Sequence, residues 1–165
     1  MIRTALALTT AAAAAAALVL TSDSAPLAAE PVFGPPWLAV EYPANPWDRT
    51  TRDAVVLVHA YHHGTPMSYP VTGTAEGLVS GKRQSVALQV EPTGRAGVYA
   101  VRRTWGNEGR WALVLTLKTS ETDGVQALVE LDGEGVARAT VPTRNRGGDP
   151  IPRALTKAEI EAALR

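Results

Sequence analysis

Beyond its first 29 residues, the chain alternates large apolar side chains with small or polar ones over short stretches. The clearest stretch is residues 111–118, in which Trp and three Leu occupy the odd positions and Ala, Val, Thr and Lys the even ones. Side chains along a β-strand point alternately to its two faces. The pattern therefore predicts a half-buried strand, with one face in the core and the other face in contact with solvent.

Further strands are predicted where apolar residues cluster between turn residues. Residues 54–61 are apolar at almost every position, which is typical of a strand in the middle of a sheet. Residues 85–90 alternate cleanly and predict a single strand. Other predicted strands cover residues 37–41, 97–101, 125–131 and 136–141. Turns are predicted at residues 62–66, 80–81, 92–94, 107–109 and 132–135.

Six to eight short strands with regular turns predict an all-β fold, an antiparallel β-sandwich. The C-terminus alone has the features of an α-helix. Thr156 and Glu159 have the spacing of a capping box, and Leu155 and Ile160 of a hydrophobic staple. So short a helix is marginal by itself. We expect it to dock through Leu155, Ile160 and Leu164, onto the sandwich or onto a partner.

The first 29 residues have the layout of a secretory signal peptide. Arg3 precedes an apolar stretch from residue 4 to 20, and small polar residues follow it. Cleavage is predicted after Ala29, with Ser24 as the alternative position. The other interpretation is an uncleaved N-terminal anchor, although the stretch is short and rich in Ala for a stable membrane span.

This leader divides the chain into a signal peptide at 1–29, a β-sandwich domain at 30–155 and a C-terminal helix at 156–165. It predicts an exported protein, periplasmic or extracellular, with no stable membrane span after cleavage. Because no Cys follows the apolar stretch, a lipoprotein anchor is excluded.

The charge balance and the absence of Cys exclude several classes of function. The 16 Lys and Arg balance the 16 Asp and Glu, which argues against nucleic-acid binding. The absence of Cys excludes disulfides, thiol catalysis and Cys-ligated metals. The leader holds 12 of the 28 Ala residues, so the exported part is less apolar than the whole chain suggests.

The three histidines are the most distinctive candidates for chemistry. His59, His62 and His63 lie within five residues, and Met67 follows. Imidazole and thioether ligands together favour copper, Cu(I) above all. On an extended strand His59 and His63 would stand roughly 13 Å apart. A metal site therefore requires the turn after His62 to bring them together. The other interpretation is two surface histidines, one half-buried histidine and a Met that fills the core.

Aromatic residues suggest structural and binding roles. Tyr99 at the start of a strand is typical of a tyrosine corner. Trp111 belongs to the apolar face of its strand. Trp37 and Trp47 lie among prolines and could form an aromatic patch that recognises a sugar or a peptide.

No catalytic motif is present: neither a nucleophile elbow, nor a zinc-protease motif, nor a phosphate loop. We therefore predict that the protein is not an enzyme. A hydrolase with two carboxylates in a cleft beside Trp37 or Trp47 stays a third hypothesis.

Several short motifs resemble the FixH/YtkA-like domains of exported bacterial proteins. The residues are Gly64-Thr65-Pro66, 75–79, Gly97-Val98-Tyr99 and Gly109-Arg110-Trp111, within residues 40–118. The resemblance implies a small immunoglobulin-like sandwich that acts as an accessory or binding module. It supplies no metal motif that transfers onto the histidines.

We therefore expect a non-enzymatic exported module that recognises a protein partner in the cell envelope and needs no cofactor. The alternative is a periplasmic protein that binds copper or another metal through His59, His62, His63 and Met67. The identity of the partner and the oligomeric state stay open.

Overall fold

The computed structural model describes residues 34–165, so the predicted signal peptide lies outside the described residues. Two antiparallel sheets pack face to face in this part of the chain, and a short helix follows them. In chain order the elements are β1 (Trp37–Glu41), β2 (Val56–His62), β3 (Thr65–Pro66), β4 (Val71–Val79), β5 (Lys82–Ala87), β6 (Gln89–Pro92), β7 (Val98–Arg102), β8 (Arg110–Lys118), β9 (Gly124–Leu131), β10 (Val136–Thr140), β11 (Thr143–Arg146), β12 (Asp149–Pro152) and α1 (Lys157–Ala162).

The strand order is that of an immunoglobulin-like sandwich. The first sheet has the order β1-β2-β7-β6, with β3 paired to the end of β2, and the second has β10-β9-β8-β4-β5. In the immunoglobulin nomenclature these are strands A-B-E-D and G-F-C, with β5 and β10 added at the edges of the second sheet. The predicted fold class, an all-β immunoglobulin-like sandwich with a short C-terminal α-helix, is confirmed.

The core lies between the sheets and is built from alternate residues of the central strands. Val56, Val58 and Ala60 of β2 face Leu113 and Leu115 of β8 across it, all fully buried. The intervening residues of β2 face outward. Leu57 on the outer face is also fully buried, which is why β2 is apolar at almost every position.

Strand β8 is buried on both faces, so the prediction of a half-exposed strand is wrong. Ala112 and Val114 point away from the core, yet they are buried. Leu164, just beyond α1, packs against them and against Leu128 of β9. The helix thus docks on the second sheet of its own chain.

The single strand predicted over residues 85–90 is in fact two. β5 pairs with β4 in the second sheet, while β6 pairs with β7 in the first. At the crossing, the Leu88 amide donates to the Gly73 carbonyl at 3.0 Å. A Cβ at Gly73 would lie 2.4 Å from the Val114 carbonyl oxygen, so glycine is needed at this close approach.

The hairpin of β11 and β12 was not predicted, and the described residues hold twelve strands in place of six to eight. Residues 143–150 are exposed, so no apolar period marks them. Gly147 and Gly148 form the turn between the two strands, and both adopt positive φ. The Asn145 side chain accepts a hydrogen bond from the Gly148 amide at 2.9 Å.

The predicted capping box at α1 is confirmed. The Glu159 amide donates to the Thr156 hydroxyl at 3.3 Å, and the Thr156 amide donates to the Glu159 carboxylate at 2.8 Å. Arg153 adds a bidentate contact to the same carboxylate at 2.6 and 2.9 Å. This contact, followed by the hydrogen bonds from Thr156, lowers the pKa of Glu159 to about 2.

We predict a loss of stability in acid that is specific to this carboxylate. Its folded pKa is about 2 and its ordinary value 4.5, so the unfolded chain binds more protons between those values. The ionised Glu159 therefore stabilises the fold fully above pH 4.5, and this contribution disappears as the pH falls towards 2. Urea unfolding at several pH values should give a shallower acid decline for Glu159→Gln than for the wild-type chain. Equal declines would contradict the assignment.

Tyr99 ties the two sheets together, although not as a tyrosine corner. Its hydroxyl donates to the Tyr69 carbonyl at 2.5 Å, on the connection between β3 and β4 that crosses from one sheet to the other. The corner motif belongs near the start of strand F, whereas Tyr99 opens β7, the counterpart of strand E. Burial raises the pKa of the Tyr99 phenol above its ordinary value.

Tyr99→Phe is expected to destabilise the fold by about 1–3 kcal/mol, because the Tyr69 carbonyl loses its donor within the sandwich. Tyr42→Phe is the matched control. Tyr42 is 44 % exposed, and its hydroxyl lies 3.4 Å from the Glu134 carbonyl. Chemical denaturation gives the free energy of unfolding of both variants. Equal losses for Tyr99→Phe and Tyr42→Phe would contradict the role of Tyr99.

Candidate binding surface

The loop between β1 and β2, residues 42–55, is held in shape by its own polar side chains. Asn45 accepts a hydrogen bond from the Trp47 amide at 3.0 Å. The Asp48 carboxylate accepts from the Thr50 amide and hydroxyl at 2.9 and 2.6 Å. These bonds lower the pKa of Asp48. Such short-range bonds are the reason that Asn and Asp favour turns.

The same loop is anchored on the outer face of the first sheet. Ala44 and Ala54 pack against Leu57, Val98 and Ala100, which form a small apolar cluster on that face. A second contact comes from β7, where the Arg102 guanidinium donates to the carbonyl of residue 50 at 3.4 Å. The loop is therefore attached to the sheet at several points.

Trp47 projects from this anchored loop into solvent. Trp47 is 89 % exposed, and Tyr42 on the same loop is 44 % exposed. Among the described residues, these are the large hydrophobic ones that are exposed. Trp and Tyr are enriched at the energetic centres of protein interfaces, because they bury much area with few rotatable bonds.

Two arginines and two aspartates lie on the Trp47 loop. Arg49 and Arg52 are exposed and make no ion pair with the residues that the structure describes. The Asp48 carboxylate accepts hydrogen bonds from Thr50, and the Asp53 carboxylate lies 4.0 Å from Arg102. An apolar ring beside two guanidinium groups that form no ion pair suits a partner surface that is apolar and offers carboxylates to them.

The structure separates the two tryptophans that were expected to form a patch. Trp37 begins β1 and is paired in register with Tyr61 on β2. The loop with Trp47 follows the other end of β1 and contacts the sheet there. Trp111 is in the core as predicted, and Trp105 is also buried.

His59 lies on the outer face of the first sheet and is engaged by its neighbours. Its Nε2 atom is 2.7 Å from the Glu41 carboxylate, on β1. Its Nδ1 atom is 3.5 Å from the Tyr61 hydroxyl, and the two rings are stacked.

His62 and His63 lie at the β2–β3 turn, where His63 and Gly64 both take positive φ as a tight turn requires. Their ring centroids are 4.2 Å apart. The His62 Nδ1 atom is 3.1 Å from the Tyr69 hydroxyl, and His63 Nδ1 accepts from the Gly34 amide at 3.2 Å.

The three histidines are not brought to one point. His59 and His62 are three residues apart on β2, and this odd spacing places them on opposite faces. The part of the chain that the structure describes holds no group of three or more His, Asp or Glu that could bind a metal ion. Met67 is half-buried, and its backbone amide donates to the Ala60 carbonyl at 2.9 Å.

No protein-family model, curated protein or solved structure matches the chain. In residues 34–165 no helix has the length and apolar character that a membrane crossing needs.

Proposed function

We propose that this protein is an exported, non-enzymatic accessory module that binds a protein partner in the cell envelope, with Trp47 at the centre of the contact. The observation that carries the proposal is the 89 % exposure of Trp47 on a loop held by its own hydrogen bonds. A pre-ordered loop loses little conformational entropy when it binds.

Two further features support a protein as the partner. Tyr42 and the guanidinium groups of Arg49 and Arg52 accompany Trp47 on one loop, and Trp, Tyr and Arg are the residue types that dominate protein interfaces. The predicted leader supports export, and the absence of a catalytic motif supports a role in binding.

We also propose that the chain is related to the FixH/YtkA-like domains. The strand order supports this relation, as do Gly97-Val98-Tyr99 and Gly109-Arg110-Trp111 at the openings of β7 and β8. The copper alternative lacks comparable support, because His62 and His63 lie together but His59 is on the opposite face of β2 from His62, and each of the three contacts a group of its own chain.

Photo-cross-linking in the native host tests the proposal. A benzoylphenylalanine at position 47 is expected to give a discrete adduct with one envelope protein. The same residue at position 122, in the exposed β8–β9 loop at the opposite end of the sandwich, is the matched control and should give none. Equal labelling from both positions, or none from position 47, would overturn the proposal.

A further inference from the structure

A second surface feature lies at the same end of the sandwich as the Trp47 loop but is lined by other residues. A cleft of about 560 Å³ lies at the end of the second sheet, between the β7–β8 loop and the β9–β10 turn. Its volume is within the range of small-molecule sites. Polar lining comes from Arg103, Asn107 and Arg110, and apolar lining from Trp111, Leu131 and Ala163.

Arg103 is fixed in this cleft by neutral groups. Its guanidinium carbon lies 5.4 Å from the centroid of the Trp105 ring, which is itself buried. Its Nη1 atom donates to the side-chain oxygen of Asn107. In the described residues no carboxylate pairs with it, in contrast to the arginines that contact glutamates, namely Arg83, Arg102, Arg138 and Arg153. The remaining donors of the Arg103 fork are therefore available to an anion.

The local charge balance selects the kind of anion. Arg110 adds a second cation and makes no ion pair with the described residues. Asp132 also lines the cleft, but its Oδ1 atom accepts the amides of Glu134 and Gly135 at 2.8 and 2.9 Å. Glu108 and Glu134 belong to the same two segments that bound the cleft. These carboxylates repel a dianionic phosphate more strongly than a monoanion, and the planar Arg103 fork matches the geometry of a carboxylate.

A hydrogen bond holds the β7–β8 loop in place at the wall of the cleft. The Trp111 indole donates to the Glu108 carbonyl at 2.7 Å, which ties the β7–β8 loop to β8. A ring or alkyl group of a ligand can pack against Trp111, Leu131 and Ala163 while its charged end meets Arg103.

We propose that this cleft binds a monoanionic carboxylate attached to an apolar or aromatic group, with the Arg103 guanidinium as the carboxylate-binding group. A free organic acid and the C-terminal carboxylate of a peptide share this chemistry. The cleft has no lining residue in common with the Trp47 loop, so loss of ligand binding in the cleft and loss of partner binding at Trp47 are distinguishable.

NMR titration of the purified full chain tests the proposal and distinguishes the two sources. The probes are hippurate, a small acid with an aromatic ring, and acetyl-Ala-Ala-Phe, a peptide with a free carboxylate. Each is compared with its neutral amide. We expect saturable shifts of the Arg103 Nε and Trp111 indole signals with at least one acid, and about tenfold weaker binding of its amide. Tighter binding of one acid identifies the source.

Variants locate the binding. Arg103→Gln should weaken it about tenfold, and Arg103→Lys, which keeps the charge and loses the fork, should weaken it several-fold. Arg144→Gln, an exposed change on β11, should leave affinity unchanged. Equal affinity for acid and amide, unchanged affinity in a folded Arg103→Lys variant, or no saturation up to roughly 10 mM would each overturn the proposal.

Discussion

Leu164→Ala is expected to destabilise the protein by about 2–5 kcal/mol, the usual range for removing a fully buried leucine. Leu164 is 1 % exposed and packs on Ala112, Val114 and Leu128. The residues within α1 itself are not fully buried. A helix of six residues depends on tertiary packing, and Leu164 is the fully buried side chain of this contact, beside the partly buried Leu155 and Ile160.

Urea unfolding followed by tryptophan fluorescence measures this effect. Arg165→Ala, an exposed change at the neighbouring position, should alter stability by no more than about 0.5 kcal/mol. The amides of Ala112 and Val114 should also exchange faster with solvent in Leu164→Ala. A loss below about 1 kcal/mol would show that the outer face of β8 does not depend on this side chain.

The sequence predicted most of the sandwich because its strands are clusters of apolar residues, alternating with small or polar ones in β8 and almost continuous in β2. β1, β2, β7, β8 and β9 lie where this pattern places them. The capping box of α1 was equally predictable, because Thr156 and Glu159 interact locally.

What could not be predicted depends on contacts distant in sequence. The sequence pattern alone places the even positions of β8 in contact with solvent. Leu164, which covers Ala112 and Val114, lies about fifty residues later in the chain. Residues 85–90 keep one alternation while they change sheets, since the core-facing side chains of both sheets point into the same space. The hairpin of β11 and β12 has no apolar face from which the sequence pattern could predict it.

In the candidate sites, too, local features could be predicted from the sequence, whereas features that depend on distant contacts could not. The spacing of His59 and His62 was visible in the sequence, and an odd spacing on one strand already implies opposite faces. For Trp47 the sequence offered a Pro-rich setting and two turn-forming residues, Asn45 and Asp48. Its exposure depends on how the loop packs against Leu57 and Ala100, which pattern does not encode.

Trp47→Ala is expected to weaken partner binding by 2 kcal/mol or more, about thirtyfold, as the loss of a central interface tryptophan does. Folding stability should change by no more than about 0.5 kcal/mol, because the side chain is 89 % exposed in the free protein. Unfolding curves of the variant check that second point. Arg49→Gln should weaken binding less and reduce its dependence on salt, since a charge at the edge of the contact acts mainly through long-range attraction.

The most direct measurement is the dissociation constant between the purified wild-type chain and the partner captured from position 47, compared with that of Trp47→Ala and of Thr122→Ala. The account predicts a rise of about thirtyfold for Trp47→Ala and no change for Thr122→Ala. Equal affinity of the wild-type chain and Trp47→Ala, with both proteins folded, would contradict the claim that the Trp47 loop is the binding surface.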